Sequence, residues 1–136
     1  MDQTMPLGPL TQTTVASKKF DLDRKRFQEL IQQQTPQLIL NAEGMIQQLN
    51  EAARRLLEYP PDRVVRPSFF SHVHQKNLYQ VMRDVADMVC YGKSQATWLL
   101  RLRTGKDRWR WYRVSVDNRL QQPDGTLILT LRDLPS

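Results

Sequence analysis

Between residues 75 and 91 the apolar positions Leu78, Val81, Met82, Val85 and Val89 recur at intervals of three and four, the spacing that lines up one stripe of an α-helix. Lys76, Arg83 and Asp87 take the opposite face, and Gly92 supplies a natural stop. Immediately afterwards the period changes to two. Ala96, Trp98, Leu100 and Leu102 alternate with Gln95, Thr97, Arg101 and Arg103, and Thr104-Gly105-Lys106-Asp107 turns the chain. In the next run, 108–120, Tyr112, Val114 and Val116 share one face while Trp109 and Trp111 point to the other. Pro123-Asp124-Gly125 makes a second reversal, and over 126–133 Leu127, Leu129 and Leu131 alternate with Ile128, Thr130 and Arg132. The C-terminal third is therefore three strands of an antiparallel sheet whose middle strand is apolar on both faces.

Upstream, residues 1–19 show neither period and are expected to form a flexible leader. From Phe20 to Gln34 the residues Phe20, Phe27, Leu30 and Ile31 form the stripe of an amphipathic helix stopped by Thr35-Pro36. The short apolar runs 37–41 and 45–50, around Ala42-Glu43-Gly44, predict a β-hairpin. Asn50 is placed to cap a helix over 51–59, which Tyr59-Pro60-Pro61 ends, and 62–74 predicts irregular chain with one or two short helical turns near Pro67-Ser68-Phe69-Phe70.

The chain has 136 residues, 40% of them hydrophobic, enough for one core and one domain. Its single cysteine, Cys90, cannot form an internal disulfide, and the first residues lack a secretion signal's basic start and apolar run, so the expected compartment is the cytoplasm. No apolar run approaches the roughly 20 residues that cross a bilayer. A net charge of +6 would suit a nucleic-acid binder, but an ordinary cationic surface explains it as well.

The order helix, hairpin, helix, short turns, long helix and three-stranded meander resembles the PAS family of sensory domains over about residues 20–134. The resemblance rests on Leu38-Ile39-Leu40-Asn41-Ala42-Glu43-Gly44 leading to Leu49-Asn50-Glu51-Ala52-Ala53, and on His72-Val73-His74 before the long helix. It continues in Arg110-Trp111 followed by Val114-Ser115-Val116, and in Asp124-Gly125 before a strand closing on Arg132-Asp133-Leu134. It implies an α+β fold, a five-stranded antiparallel sheet with helices on one face and an N-terminal amphipathic helix. Between sheet and helices it implies an interior lined here by Leu40, Leu57, Leu78, Val81, Met82, Val85, Trp98, Leu100 and Val114, which in some members holds haem, flavin or a small metabolite and in others is packed. It further implies a signalling protein, such as those of two-component systems, working as a homodimer or with a partner signalling domain. Signals would pass through the N-terminal helix and a final segment, here Asp133-Leu134-Pro135, to an effector expected outside this chain.

Particular chemistries find little support. Flavin photosensors carry an Asn-Cys-Arg-Phe-Leu-like motif where this chain reads Pro61-Asp62-Arg63-Val64-Val65, and Cys90 reads as a small apolar residue. Haem needs an imidazole aimed into the cavity, but His72 and His74 precede the long helix, whose facing positions are Val81, Met82 and Val85; surface or capping roles suit both histidines. Zinc would have at most three ligands. No phosphate loop, nucleophile elbow or catalytic carboxylate pair is present, so an enzyme is not expected.

One competing class remains. Arg108-Trp109-Arg110-Trp111-Tyr112-Arg113 interleaves cations and aromatics as single-stranded nucleic-acid binders do. The preferred reading is that Trp109 and Trp111 lie on the outer sheet face, covered by Phe27, Leu30 and Ile31 of the N-terminal helix or by a second subunit.

Overall fold

The computed structural model describes residues 35–135; the predicted leader and N-terminal helix, with Phe20, Phe27, Leu30 and Ile31, lie outside them. Two short strands, β1 (Gln37–Leu40) and β2 (Ile46–Leu49), form the expected hairpin. Asn50 does more than cap. Its Oδ1 accepts from the backbone N–H of Ala53 at 2.9 Å and of Gln37 at 3.1 Å, while its Nδ2 donates to the Thr35 carbonyl at 2.7 Å. One side chain thus ties the start of β1 to the start of α1 (Glu51–Leu56).

Helix α1 ends earlier than the proline pair predicts. Glu58 adopts φ 65, in the left-handed region, and the closing bonds run from Glu58 N to Arg55 O and from Tyr59 N to Arg54 O. These are the two bonds of a Schellman cap, built here on a residue other than glycine. A 3-10 helix (Phe69–His72) follows, and then α2 (Gln75–Tyr91), with the predicted limits: His74 caps its start through Nδ1 and Gly92, at φ 70, caps its end.

Strands β3 (Gln95–Arg103), β4 (Trp109–Arg119) and β5 (Thr126–Asp133) complete one antiparallel sheet in the order β2-β1-β5-β4-β3. The last strand inserts beside the first, pairing Leu38 with Leu129 and Ile39 with Ile128. One sheet face carries Trp98, Leu100, Leu102, Tyr112, Val114, Leu127 and Leu129, all essentially inaccessible, packed against Val81, Val85 and Met88 of α2 and against Phe69. Phe69 stacks on Trp98 with ring centroids 6.3 Å apart.

The register of α2 corrects two expectations. Met82 is 49% exposed and Val89 44% exposed, so neither faces the interior; Met88 does. The buried stripe is Val81, Asp84, Val85 and Met88. Because its second member is an acid, an apolar count drew the stripe toward Met82 and Val89, one step round the helix from Val81 and Met88.

Candidate functional site

Of the residues predicted to line an interior cavity, Leu40, Leu57, Val81, Val85, Trp98, Leu100 and Val114 are buried and Leu78 packs partly buried against them. Met82, as above, does not belong there. The space left between sheet and helices is about 10 Å³, bounded by Leu38, Leu57, Tyr59, Phe69, His72 and Leu102 among others. That is room for about one water. As packed, these residues do not fit a haem or a flavin. His72 is the imidazole nearest this space, and both its nitrogens are engaged. Its Nε2 lies 2.9 Å from the Arg66 carbonyl, which can only accept, so Nδ1 is the acceptor for the Tyr59 hydroxyl at 3.3 Å. Burial pushes the His72 pKa down, and the Arg66 charge adds to this against the bond to the Arg66 carbonyl, so the ring is held neutral. His74 acts as the cap of α2, and Cys90 is exposed near its far end. Among the described residues no cluster of His, Cys, Asp or Glu is arranged to hold a metal, and no helix is long and apolar enough to cross a membrane.

Two carboxylates that periodicity passed over hold the architecture together. Asp84 is 7% exposed and accepts from Trp98 Nε1 at 2.7 Å and from Lys93 Nζ at 2.9 Å. Burial alone would raise its pKa, yet the hydrogen bonds from Lys93 and Trp98 outweigh it and hold the carboxyl below the usual range. Glu58, at the left-handed cap of α1, receives Arg108 in a two-pronged pair and Arg110 at 3.5 Å. Its pKa falls to about 2, chiefly through the Arg108 hydrogen bond, against a smaller opposing effect of burial. Arg110 reaches on to Asp133 at 2.7 Å, so a chain of charges runs from the end of α1 through β4 to the end of β5. The signal in the sequence was an acid breaking an apolar stripe and an acid just after a helix, neither diagnostic before the partners are known. The β3–β4 turn docks on the same cap: Gly105 N donates to Leu57 O at 2.8 Å, and a Cβ on Gly105 would sit 2.3 Å from the Glu58 carbonyl oxygen, so this turn requires glycine.

The opposite sheet face is different in kind. Trp109 and Trp111 are 45% and 46% exposed there, with Leu99 also exposed. Arg101, opposite Trp111 in the register, lays its guanidinium 4.6 Å from that ring's centroid, and His74 meets Trp109 edge-on at 4.7 Å. A groove of about 420 Å³ runs between the tryptophans and Leu134-Pro135, where β5 leaves the sheet. A second, of about 460 Å³, is lined by Arg113, Ser115, Thr130 and Arg132 among others.

A five-stranded antiparallel sheet in this order, with helices packed on one face, defines a PAS fold. The sequence profile described as "PAS fold" matches residues 30–134, and the chain belongs to that family. A comparison with curated proteins yields no match. Among solved structures, the PAS-B domain of Cycle from Drosophila melanogaster superposes with a TM-score of 0.62 at 14% identity, over 73% of this chain and 99% of that one. A domain of a sensory box sensor histidine kinase/response regulator from Geobacter sulfurreducens gives 0.58 at 18% identity, over 73% and 82%. The PAS domain of the RpfR quorum-sensing receptor from Cronobacter turicensis, solved in complex with BDSF, gives 0.59 at 17% identity, over 74% and 94%.

Proposed function

We propose that this PAS domain is the sensory and interaction module of a signalling protein, and that it works chiefly through contact on its outer sheet face. The observation that carries this reading is the pair of half-exposed indoles, Trp109 and Trp111, on the face opposite a core whose remaining space holds about one water. A sheet face with two large aromatic rings and no helix of the described residues over it is suited to a covering segment. Phe20, Phe27, Leu30 and Ile31, as one apolar stripe, are the natural cover, from the same chain or from a second copy. Arg101, Arg113 and Arg132 share that face, so a partner that brings acidic groups around an apolar centre is favoured.

The mechanism we propose is a population shift. A ligand or partner that favours one packing of α2 on the sheet changes how the 20–34 segment and the end of β5 pair with a neighbour. Asp133, held by Arg110 and through it linked to Glu58, is the output position. A ligand among Leu40, Leu57, Leu78, Val81, Val85, Trp98, Leu100 and Val114 has to open the core to enter, which makes occupancy itself a conformational signal. The domain is expected to act in the cytoplasm and without catalysis.

Sedimentation equilibrium of the full chain tests the reading. Deleting residues 1–34, or replacing Trp109 and Trp111 by Ala, is expected to shift a dimer or a partner complex toward free monomer. An association constant unchanged by both changes refutes it. The nucleic-acid reading is less well supported, because Arg101 and His74 already occupy ring surface of the two indoles and Arg110 is committed to Glu58 and Asp133. Saturable oligonucleotide binding lost on W109A/W111A, with the fold intact, would reverse that ranking.

A further inference from the structure

Beside the closed core, and separated from it by the paired Tyr59 and His72 side chains, lies a polar cleft of about 120 Å³. It forms where the chain between α1 and the 3-10 helix meets the β3–β4 turn. Its charges are unbalanced: Arg63, Arg66 and Arg103 face a single acid, Asp107. Asp107 is shared loosely, 3.7 Å from Arg63 Nη2 and 3.6 Å from Arg103 Nε, both longer than a charged hydrogen bond. Arg63 is otherwise anchored, donating to the Gly105 carbonyl and lying over the Tyr59 ring. The Arg66 guanidinium has no hydrogen-bond or ion-pair partner among the described residues, although its own carbonyl is fixed by His72.

The neutral groups do not supply the missing negative charge. The Tyr59 hydroxyl donates to His72 Nδ1 and the Ser71 hydroxyl to the Ser68 carbonyl at 2.7 Å. What stays uncommitted is guanidinium N–H donors of Arg66 and Arg103, which both line a space of the right size for one oxyanion, and planar forks match carboxylate and phosphate oxygens in pairs.

We infer that this cleft binds the carboxylate or phosphate group of a small anionic molecule, with Arg66 and Arg103 as its principal donors. The site lies outside the apolar interior, so binding leaves the core closed. It links residues 59–72 to the turn at 103–107, and that turn leads directly into the strand bearing Arg108, Trp109, Arg110 and Trp111. An anion there stiffens the junction between the Glu58 cap and the outer tryptophan face.

The test is titration of the full chain with sodium phosphate and, separately, sodium succinate, each against sodium chloride at matched ionic strength. Binding is read by calorimetry and by the rise in Tm. The expected result is saturable binding of at least one anion, weakened about tenfold or more in Arg66→Ala and in Arg103→Ala, and unchanged in Arg83→Ala on the exposed face of α2. Arg66 and Arg83 are both exposed, so neither change threatens folding, and circular dichroism checks this. Saturation by phosphate alone or by succinate alone assigns the ligand class. No saturable effect beyond chloride, or equal affinity in Arg66→Ala and Arg83→Ala, overturns the proposal.

Discussion

The two faces of the sheet use the same strands to opposite ends. On the inner face Trp98 is fully buried, stacked on Phe69 and hydrogen-bonded to Asp84. On the outer face, Trp109 and Trp111 are half exposed, with His74 edge-on to the first ring and the Arg101 guanidinium over the second. Alternation along a strand makes this division automatic. What differs is the partner each face has been given: α2 and the 3-10 helix cover one, while no element of the described residues covers the other. An indole with all its polar and apolar demands met is structural; one with half its surface in water has area left for binding.

The largest expected effect comes from Trp98. Replacing it by Ala leaves a cavity and takes the indole donor from Asp84 Oδ2, and should cost about 3–5 kcal/mol by urea unfolding. A loss under 1 kcal/mol would mean the inner face is not the rigid one. Next, Asp84→Ala removes the acceptor of Trp98 Nε1 and the partner of Lys93, for a loss of about 1–3 kcal/mol. Asp84→Asn keeps an acceptor for Trp98 and should lose less; equal losses would show that the Lys93 pair, rather than the indole bond, is what matters.

Glu58→Gln should lower Tm by a few degrees at pH 7, with a pH dependence of definite sign. The folded carboxyl titrates at about 2 and the free one near 4.5, so its stabilising effect is complete above pH 4.5 and lost as pH falls toward 2. The Tm gap between variant and wild type should therefore narrow over that interval. A constant gap would point to the left-handed backbone rather than the charge. Smallest in stability, but largest in association, are Trp109→Ala and Trp111→Ala: each should cost no more than about 1 kcal/mol in the isolated domain while weakening self-association or partner binding in sedimentation. Unfolding by either would make the outer face a second core.

Local pattern carried the elements well. The limits of α2, the three C-terminal strands, the Asn50 cap and the opposite orientations of Trp111 and Tyr112 all follow from periods of 3.6 and 2 and from short-range capping, interactions that neighbouring residues decide among themselves. The outward tryptophans, the feature on which the proposed function depends, were legible for the same reason.

What only the tertiary structure decided are the relations between distant residues. Asp84 belongs to the core because Trp98, fourteen residues on, brings an indole N–H to it. Glu58 bends the chain out of α1 in company with Arg108, fifty residues on. Met82 is displaced from the interior by the burial of that same Asp84. Whether the interior is a cavity or a packed core depends on the summed fit of side chains from every element, a volume difference of a few methyl groups that no local period encodes. The arginine cleft has the same origin: Arg63, Arg66 and Arg103 share one space only because the Gly105 turn closes onto the cap of α1.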